Sequence, residues 1–310
     1  MFDLKTPAAA LTAPSTQSNA STVNKLAAKV LGETLTQFTD QLTALRVSDE
    51  PEVVHQARVA WRRFKSDVRL FKPALDEAQV EMPSLSPLQP LLQGLGALRD
   101  LDVALTEMLP HWRSRYIDAS PKTSAAQARR RRDWRQMSQA LQQLADTQRH
   151  LVRRELEQPV VVATLLALTE CVDGLSGESP SEPSATVPLR RWARQRLSGW
   201  HKRFKLAKQA ALKGASKRAS KSFLKTGRCK ANPERQHRAR ILAKRLRYGV
   251  DALGFLLPAQ RSRHWRQQAL DLQTTLGASR DLLQAHALAA SVAADDDILR
   301  FLQGLADQSS

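Results

Sequence analysis

Apolar residues recur every three to four positions along nearly the whole chain, the spacing of one buried helix face rather than the alternation of a half-buried strand. Val160–Val161–Val162 is the nearest approach to a β-branched run. The fold class read from this pattern is all-α. Before the main interruption the periodicity predicts helices over 22–46, 51–72, 85–109 and 124–173, the last broken at Pro159. After it, helices are predicted over 189–226, 233–257, 260–292 and 295–308. The interruption is GLSGESPSEPSATVP, residues 174–188, whose Gly, Ser and Pro content cannot continue a helix. Residues 1–22 are rich in Ala, Thr and Ser, with Pro7 and Pro14, and are expected to form a disordered tail. The expected organisation is therefore a tail (1–22), a four-helix lobe (23–173), a linker (174–188) and a second four-helix lobe (189–308).

The two halves carry an internal repeat. PEVVHQARVAWRRFK (51–65) aligns with PERQHRARILAKRLR (233–247) at an offset of 182, matching His55 with His237, Arg58 with Arg240, Arg62 with Lys244 and Lys65 with Arg247. Farther on, LGALRD (95–100) aligns with LGASRD (276–281) at an offset of 181. Two separate stretches sharing one offset to within a residue point to a duplication, with a period far too long for a solenoid. Both repeated helices start alike. Pro51 or Pro233 fits the first turn, where its missing N–H costs nothing, and the following Glu suits the helix dipole.

Charge sharpens the picture. The 310 residues hold 48 Lys+Arg against 30 Asp+Glu, a formal net charge of +18, so an anionic partner is the first thing to seek. At about 100° per residue, His55, Arg58, Arg62, Lys65 and Arg69 fall within an arc of roughly 80°. Ala57, Ala60, Trp61, Phe64, Val68 and Phe71 face the other way. In the second copy His237, Arg240, Lys244 and Arg247 form the basic face, and Ala239, Leu242, Ala243, Leu246, Val250 and Leu253 the apolar one. Arg63 and Arg245 fall outside the basic arc, and Asp251 stands where Arg69 would be. A solvated helix normally mixes signs to gain i,i+4 pairs, whereas stacked like charges lose a few tenths of a kcal/mol per pair unless an anion sits there. Guanidinium groups grip phosphate oxygens in bidentate fashion and Lys acts as a point charge, so such a row suits successive phosphates.

A second basic run precedes the second copy, with no Asp or Glu between Arg190 and Asn232; within it Lys202, Arg203, Lys205 and Lys208 are candidate ligands. Arg129 to Arg132 read as a solvated helix start. In the LGALRD and LGASRD segments a helical Gly indicates close packing, and Arg99 and Arg280 are either structural partners of the neighbouring Asp or additional ligands. Cys171 and Cys229 form no CxxC pair, the remaining histidines show no metal-ligand spacing, and no cofactor is expected. Neither a membrane-length apolar run nor a secretory signal is present, so the expected compartment is the cytoplasm.

The segments HQARVAWRRFK, LGALRDLDVAL, HRARILAKRLRY and LGASRD resemble the CHAD family, the conserved-histidine α-helical domain. The resemblance runs from about residue 25 to 305. It implies two four-helix lobes related by a pseudo-two-fold axis around a basic central groove that binds inorganic polyphosphate. It carries the site role onto His55, Arg58, Arg62, Lys65, His237, Arg240, Lys244, Arg247 and Tyr248. Many relatives carry a fused triphosphate-hydrolysing barrel marked by Glu-x-Glu-x-Lys. The two Glu-x-Glu sequences here, at 50–52 and 155–157, lack the Lys, and the chain is expected to stand alone and to be non-catalytic. Association of some relatives with polyphosphate or polyester storage granules makes a granule a further expected partner. A nucleic-acid-binding helical protein and a polyphosphate-processing enzyme using Asp100, Asp102 or Asp281 remain the alternatives.

Overall fold

The computed structural model describes residues 15–118, 124–175, 186–216, 233–275 and 278–308. Within them the regular elements are helical throughout: α1 (Ser15–Leu45), α2 (Pro51–Glu77), α3 (Gln89–Val103), α4 (Leu109–Asp118), α5 (Ser124–Leu156), α6 (Pro159–Gly174), α7 (Thr186–Ser216), α8 (Pro233–Leu253), α9 (Ala259–Thr275), α10 (Ala278–Ser291) and α11 (Asp296–Gln308). The boundary at Pro159 and the starts at Pro51 and Pro233 fall where the sequence sets them. At Pro51 the preceding Glu50 is extended, with φ −64° and ψ 126°, as a residue before proline must be.

Several boundaries differ from expectation. The first helix starts at Ser15, inside the segment expected as a tail, and residues 1–14 lie outside those described. The helix expected over 85–109 is a short 3₁₀ turn, then α3, then a π-helical turn at Ala104–Met108 that runs into α4. The helix expected over 260–292 is two, α9 and α10, and most of the linker and the stretch 217–232 lie outside the described residues.

Helix α1 packs along α2, and α7 packs along α8 in the same manner. The two repeated helices, α2 and α8, touch each other. Arg63 of α2 and Asp251 of α8 line one cavity of about 360 Å³, while Arg69 of α2 lies close enough to Arg245 of α8 to depress its pKa. Under the 182-residue offset Arg245 is the counterpart of Arg63, and Asp251 of Arg69. The residues that meet across α2 and α8 are thus ones that the repeat aligns with each other.

Trp61 and Leu246 do not lie in separate cores. Both belong to one cluster of buried side chains running from Val23 to Leu302. The last two helices cross over: α10 packs against α5 and the π turn, Gln284 donates to Asp100 at 3.3 Å, and Phe301 meets the Tyr116 ring at 5.3 Å. The boundary at 174–188 divides the chain without dividing the packing. Close helix approach is enforced at Gly249, where a Cβ would stand 2.9 Å from Leu197 Cδ2 and 3.1 Å from the Trp200 ring.

Candidate functional site

Helix α2 buries Val54, Ala57, Ala60, Trp61, Phe64, Leu70 and Phe71, which fixes its rotation about its own axis. Once that face is committed to the core, helical geometry leaves His55, Arg58, Arg62 and Lys65 half-buried on one flank, with Arg69 exposed at its end. From His55 to Arg69 this row rises about 21 Å at 1.5 Å per residue.

At the His55 end, α3 completes the row. Arg58 donates to the carbonyl oxygens of Gly96 at 2.5 Å and Leu95 at 3.4 Å, and its guanidinium lies 3.7 Å from Asp100. A Cβ on Gly96 would come within 3.5 Å of the Arg58 guanidinium, so LGALRD is the place where α3 meets the basic row. Arg99 stands beside His55 and is held by Glu107 at 2.9 Å, an acid delivered by the π-helical turn. Arg99 is therefore a structural partner of Glu107 that also adjoins the basic row.

At the Arg69 end, cations from the second half take over. Arg196 of α7 donates to the carbonyls of Leu70 at 2.8 Å and Arg69 at 2.5 Å. Arg245 of α8 lies near both Arg69 and Arg203. Arg203 and Arg245, with Arg235 and Arg238, then line a cavity of about 910 Å³ between α7 and α8, floored by Leu206, Ala207, Ile241 and Leu242. The result is a continuous series of cationic side chains running from Arg99 through α2 to Arg245 and Arg203.

Electrostatics record the crowding. Burial pushes the His55 imidazole below its ordinary value, and Arg99 and Arg62 push it the same way against Glu52 and Glu107. Burial lowers Lys65, with Arg69 and Arg62 adding to the effect. Arg58, Arg196 and Arg245 are lowered by burial first and then by neighbouring guanidinium groups, with Asp100 opposing the effect at Arg58. Arginine stays charged regardless, so the shifts report unfavourable surroundings for positive charge. The Nε atoms of Arg62 and Arg245 are buried without a hydrogen-bond partner. An unmade hydrogen bond of this kind costs about 1–3 kcal/mol, which adds to the like-charge crowding of the row.

The candidate residues thus divide. His55, Arg58, Arg62, Lys65, Arg69 and Arg203 join one series. His237 is exposed in the first turn of α8, and Arg240, Lys244 and Arg247 are half-buried along the turns that follow. The residue of α8 that meets the end of the α2 row is Arg245, assigned other roles on the sequence because its arc was measured on one isolated helix. Lys202 is exposed on α7, whereas Lys205 and Lys208 lie in a different groove, between α7 and α9, on the side of α7 opposite Arg203. Tyr248 also departs from expectation. It is 4% exposed, its hydroxyl has no hydrogen-bond partner, Arg247 lies 5.0 Å over its ring, and it lines the cavity shared by α1, α2 and α8. The side chain of Arg280 lies outside the described residues. Arg130 proves structural, donating to the Tyr116 carbonyl at 2.7 Å and covering its ring at 4.7 Å.

The family model for the CHAD domain matches residues 29–290. No curated protein matches the chain in sequence. Among solved structures, the crystal structure of the CHAD domain from the plant Ricinus communis is similar with a TM-score of 0.65 at 23% identity, covering 92% of this chain and 85% of that one. PptA from Streptomyces chartreusis is similar with a TM-score of 0.46 at 17% identity, covering 92% and 93%.

Proposed function

The chain belongs to the CHAD domain family, and from that premise we propose that it binds inorganic polyphosphate, or a close polyanionic equivalent, without transforming it. The observation that carries this reading is the unbroken series of cations from Arg99 along α2 to Arg245 and Arg203, with buried, unpartnered Nε atoms within it. Guanidinium groups one helical turn apart present donors to successive phosphates, and the anion offsets the repulsion that adds to burial in depressing Lys65 and His55. Family expectation supplies the polyphosphate; the row supplies the chemistry that would recognise it.

Two features favour binding over processing. Asp100 is occupied by Arg58 and Gln284. Asp102 is 3% exposed and faces the buried Arg149 at 3.4 Å, although burial raises its pKa. Asp100 and one oxygen of Asp102 are thus engaged by neighbouring side chains, and the side chain of Asp281 lies outside the described residues.

Nucleic acid shares the phosphate chemistry, but sequence-tolerant single-strand binding relies on aromatic platforms beside the cationic groove. Trp61 and Phe64, the aromatic residues within the α2 row's span, are 4% and 0% exposed and turned into the core. Storage granules belong to the same proposal as carriers of the ligand. Among the described residues no helix is long and apolar enough to cross a membrane. The deciding experiment is a titration with length-defined polyphosphate in the presence of double-stranded DNA. Tighter binding of polyphosphate supports the reading, and displacement of polyphosphate by equimolar phosphate in DNA overturns it.

A further inference from the structure

Lys205 and Lys208 leave the basic series for a groove of their own. At 100° per residue, His201, Lys205, Lys208 and Leu212 follow one another down a single face of α7, directed away from the Arg203 face. Helix α9 closes the groove with His264 and Gln268, giving a concavity of about 480 Å³ with the buried Phe204 at its floor. Small-molecule sites commonly have this size, an apolar lining and a few fixed polar groups.

The polar groups here are fixed. The His201 ring stacks on Trp265 at 4.7 Å with a 14° interplanar angle. Its Nε2 hydrogen bonds to Gln268 Oε1 at 3.0 Å, and Gln268 Nε2 reaches His264 Nε2 at 3.1 Å. One glutamine amide therefore ties both imidazoles to the groove wall. Its carbonyl accepts from His201 Nε2–H, and its NH₂ donates to the lone pair of His264 Nε2. Among the described residues no carboxylate forms an ion pair with Lys205 or Lys208. Leu212, at the end of the same face, is 43% exposed and free to meet a ligand.

Two ammonium groups followed on the same face by an exposed leucine match a molecule with a charged head and an apolar body. The geometry points to a second ligand site, independent of the polyphosphate reading, for an amphipathic anion: a carboxylate or phosphate-monoester head gripped by Lys205 and Lys208, with an apolar body lying along Phe204 and Leu212. The ammonium groups supply charge without a fixed fork, so they accept either head group.

Calorimetry of the full chain with decanoate below its micellar concentration tests this, with decyl phosphate, decanol, decylamine and acetate as comparison ligands. Saturable one-to-one binding of decanoate or decyl phosphate is expected, at least tenfold tighter than that of the alcohol, the amine or acetate. The ratio between the two anions distinguishes the sources of the head group. Lys205→Ala with Lys208→Ala should weaken the anions at least tenfold without changing decanol. Leu212→Asn should weaken decanoate several-fold without changing acetate. All three positions lie on the open side of α7, so circular dichroism should match the parent. Equal binding of alcohol and anion, equal binding of acetate and decanoate, or unchanged affinity in the lysine variant would each overturn the proposal. Tripolyphosphate serves as competitor: it should leave decanoate affinity within twofold, whereas full competition would assign the groove to the basic series and sink the second site alone.

Discussion

Replacing His55 with Gln should remove a defined share of the pH dependence of polyphosphate binding. In the free protein, burial and the neighbouring Arg99 and Arg62 hold the imidazole below 6.5, with Glu52 and Glu107 pulling weakly upward. His55 is therefore neutral at pH 7 before ligand arrives. A phosphate charge about 6 Å away at an effective dielectric near 20 is worth about 2.8 kcal/mol before salt screening, and it favours the protonated imidazole. The bound pKa then exceeds the free one, and binding takes up a proton. Affinity rises as pH falls through the bound pKa, gains up to tenfold for each unit separating the two values, and levels off below the lowered free pKa. The window thus extends below 6.5, and the measurement runs down to pH 5.5. Long-chain polyphosphate keeps its titrating end groups a small fraction of the ligand. Calorimetry in two buffers of different ionisation enthalpy counts the protons directly. The parent should take up more protons than His55→Gln, by up to one per site, and the variant should bind at pH 8 with affinity near the parent's. Identical proton uptake in both proteins would show that His55 does not face the ligand and would refute the reasoning.

Other outcomes follow from the same geometry. Binding should weaken with salt, log K falling by about 0.7 per phosphate neutralised, and Arg62→Gln should lower that slope by about 0.7, read from titrations across salt concentrations. Asp67 is 3% exposed with one carboxylate oxygen unpartnered, and burial raises its pKa to about 8, Arg63 opposing and Asp251 adding. The folded state thus holds a proton that the unfolded state has released, so this residue's contribution to stability declines between about pH 4 and 8; Asp67→Asn should stabilise the protein at pH 8 by on the order of 1–3 kcal/mol and much less at pH 4, measured by urea unfolding. Gly249→Ala forces a methyl against Leu197 and Trp200 and should cost about 1–3 kcal/mol in the same assay, with a smaller loss in a variant that also shortens Leu197.

The α2 row was legible because a proline start and an unambiguous apolar face fix which way a single helix is turned. The same reasoning could not place Arg245, whose position depends on where α8 crosses α2, a relation carried by no local period. Lys205 and Lys208 were a different matter: the 100° rule already puts them opposite Arg203, and grouping the run by composition hid a signal that was present. Tyr248 came from resemblance alone and proved to be a buried residue of another cavity. The core shared by Trp61 and Leu246 was illegible for a further reason. Contacts such as Gln284 to Asp100 join residues more than half the chain apart, and both partners read as ordinary exposed polar positions. The π turn that delivers Glu107 to Arg99 likewise leaves no mark on a helical period.

The central claim, that one polyanion follows the cations from α2 onto α7 and α8, is tested most directly by affinity against chain length. A short oligophosphate can occupy the roughly 21 Å of the α2 row and no more. A longer chain reaches Arg245 and Arg203, and each added contact is made intramolecularly, at an effective concentration of up to about millimolar. Affinity per molecule should rise steeply with phosphate number and then level off. In Arg203→Glu, and in Arg203→Glu with Arg245→Glu, the rise should largely vanish while short-chain affinity stays close to the parent's. Affinity independent of length in the parent, or an unchanged rise in the exposed single variant Arg203→Glu, would contradict the account.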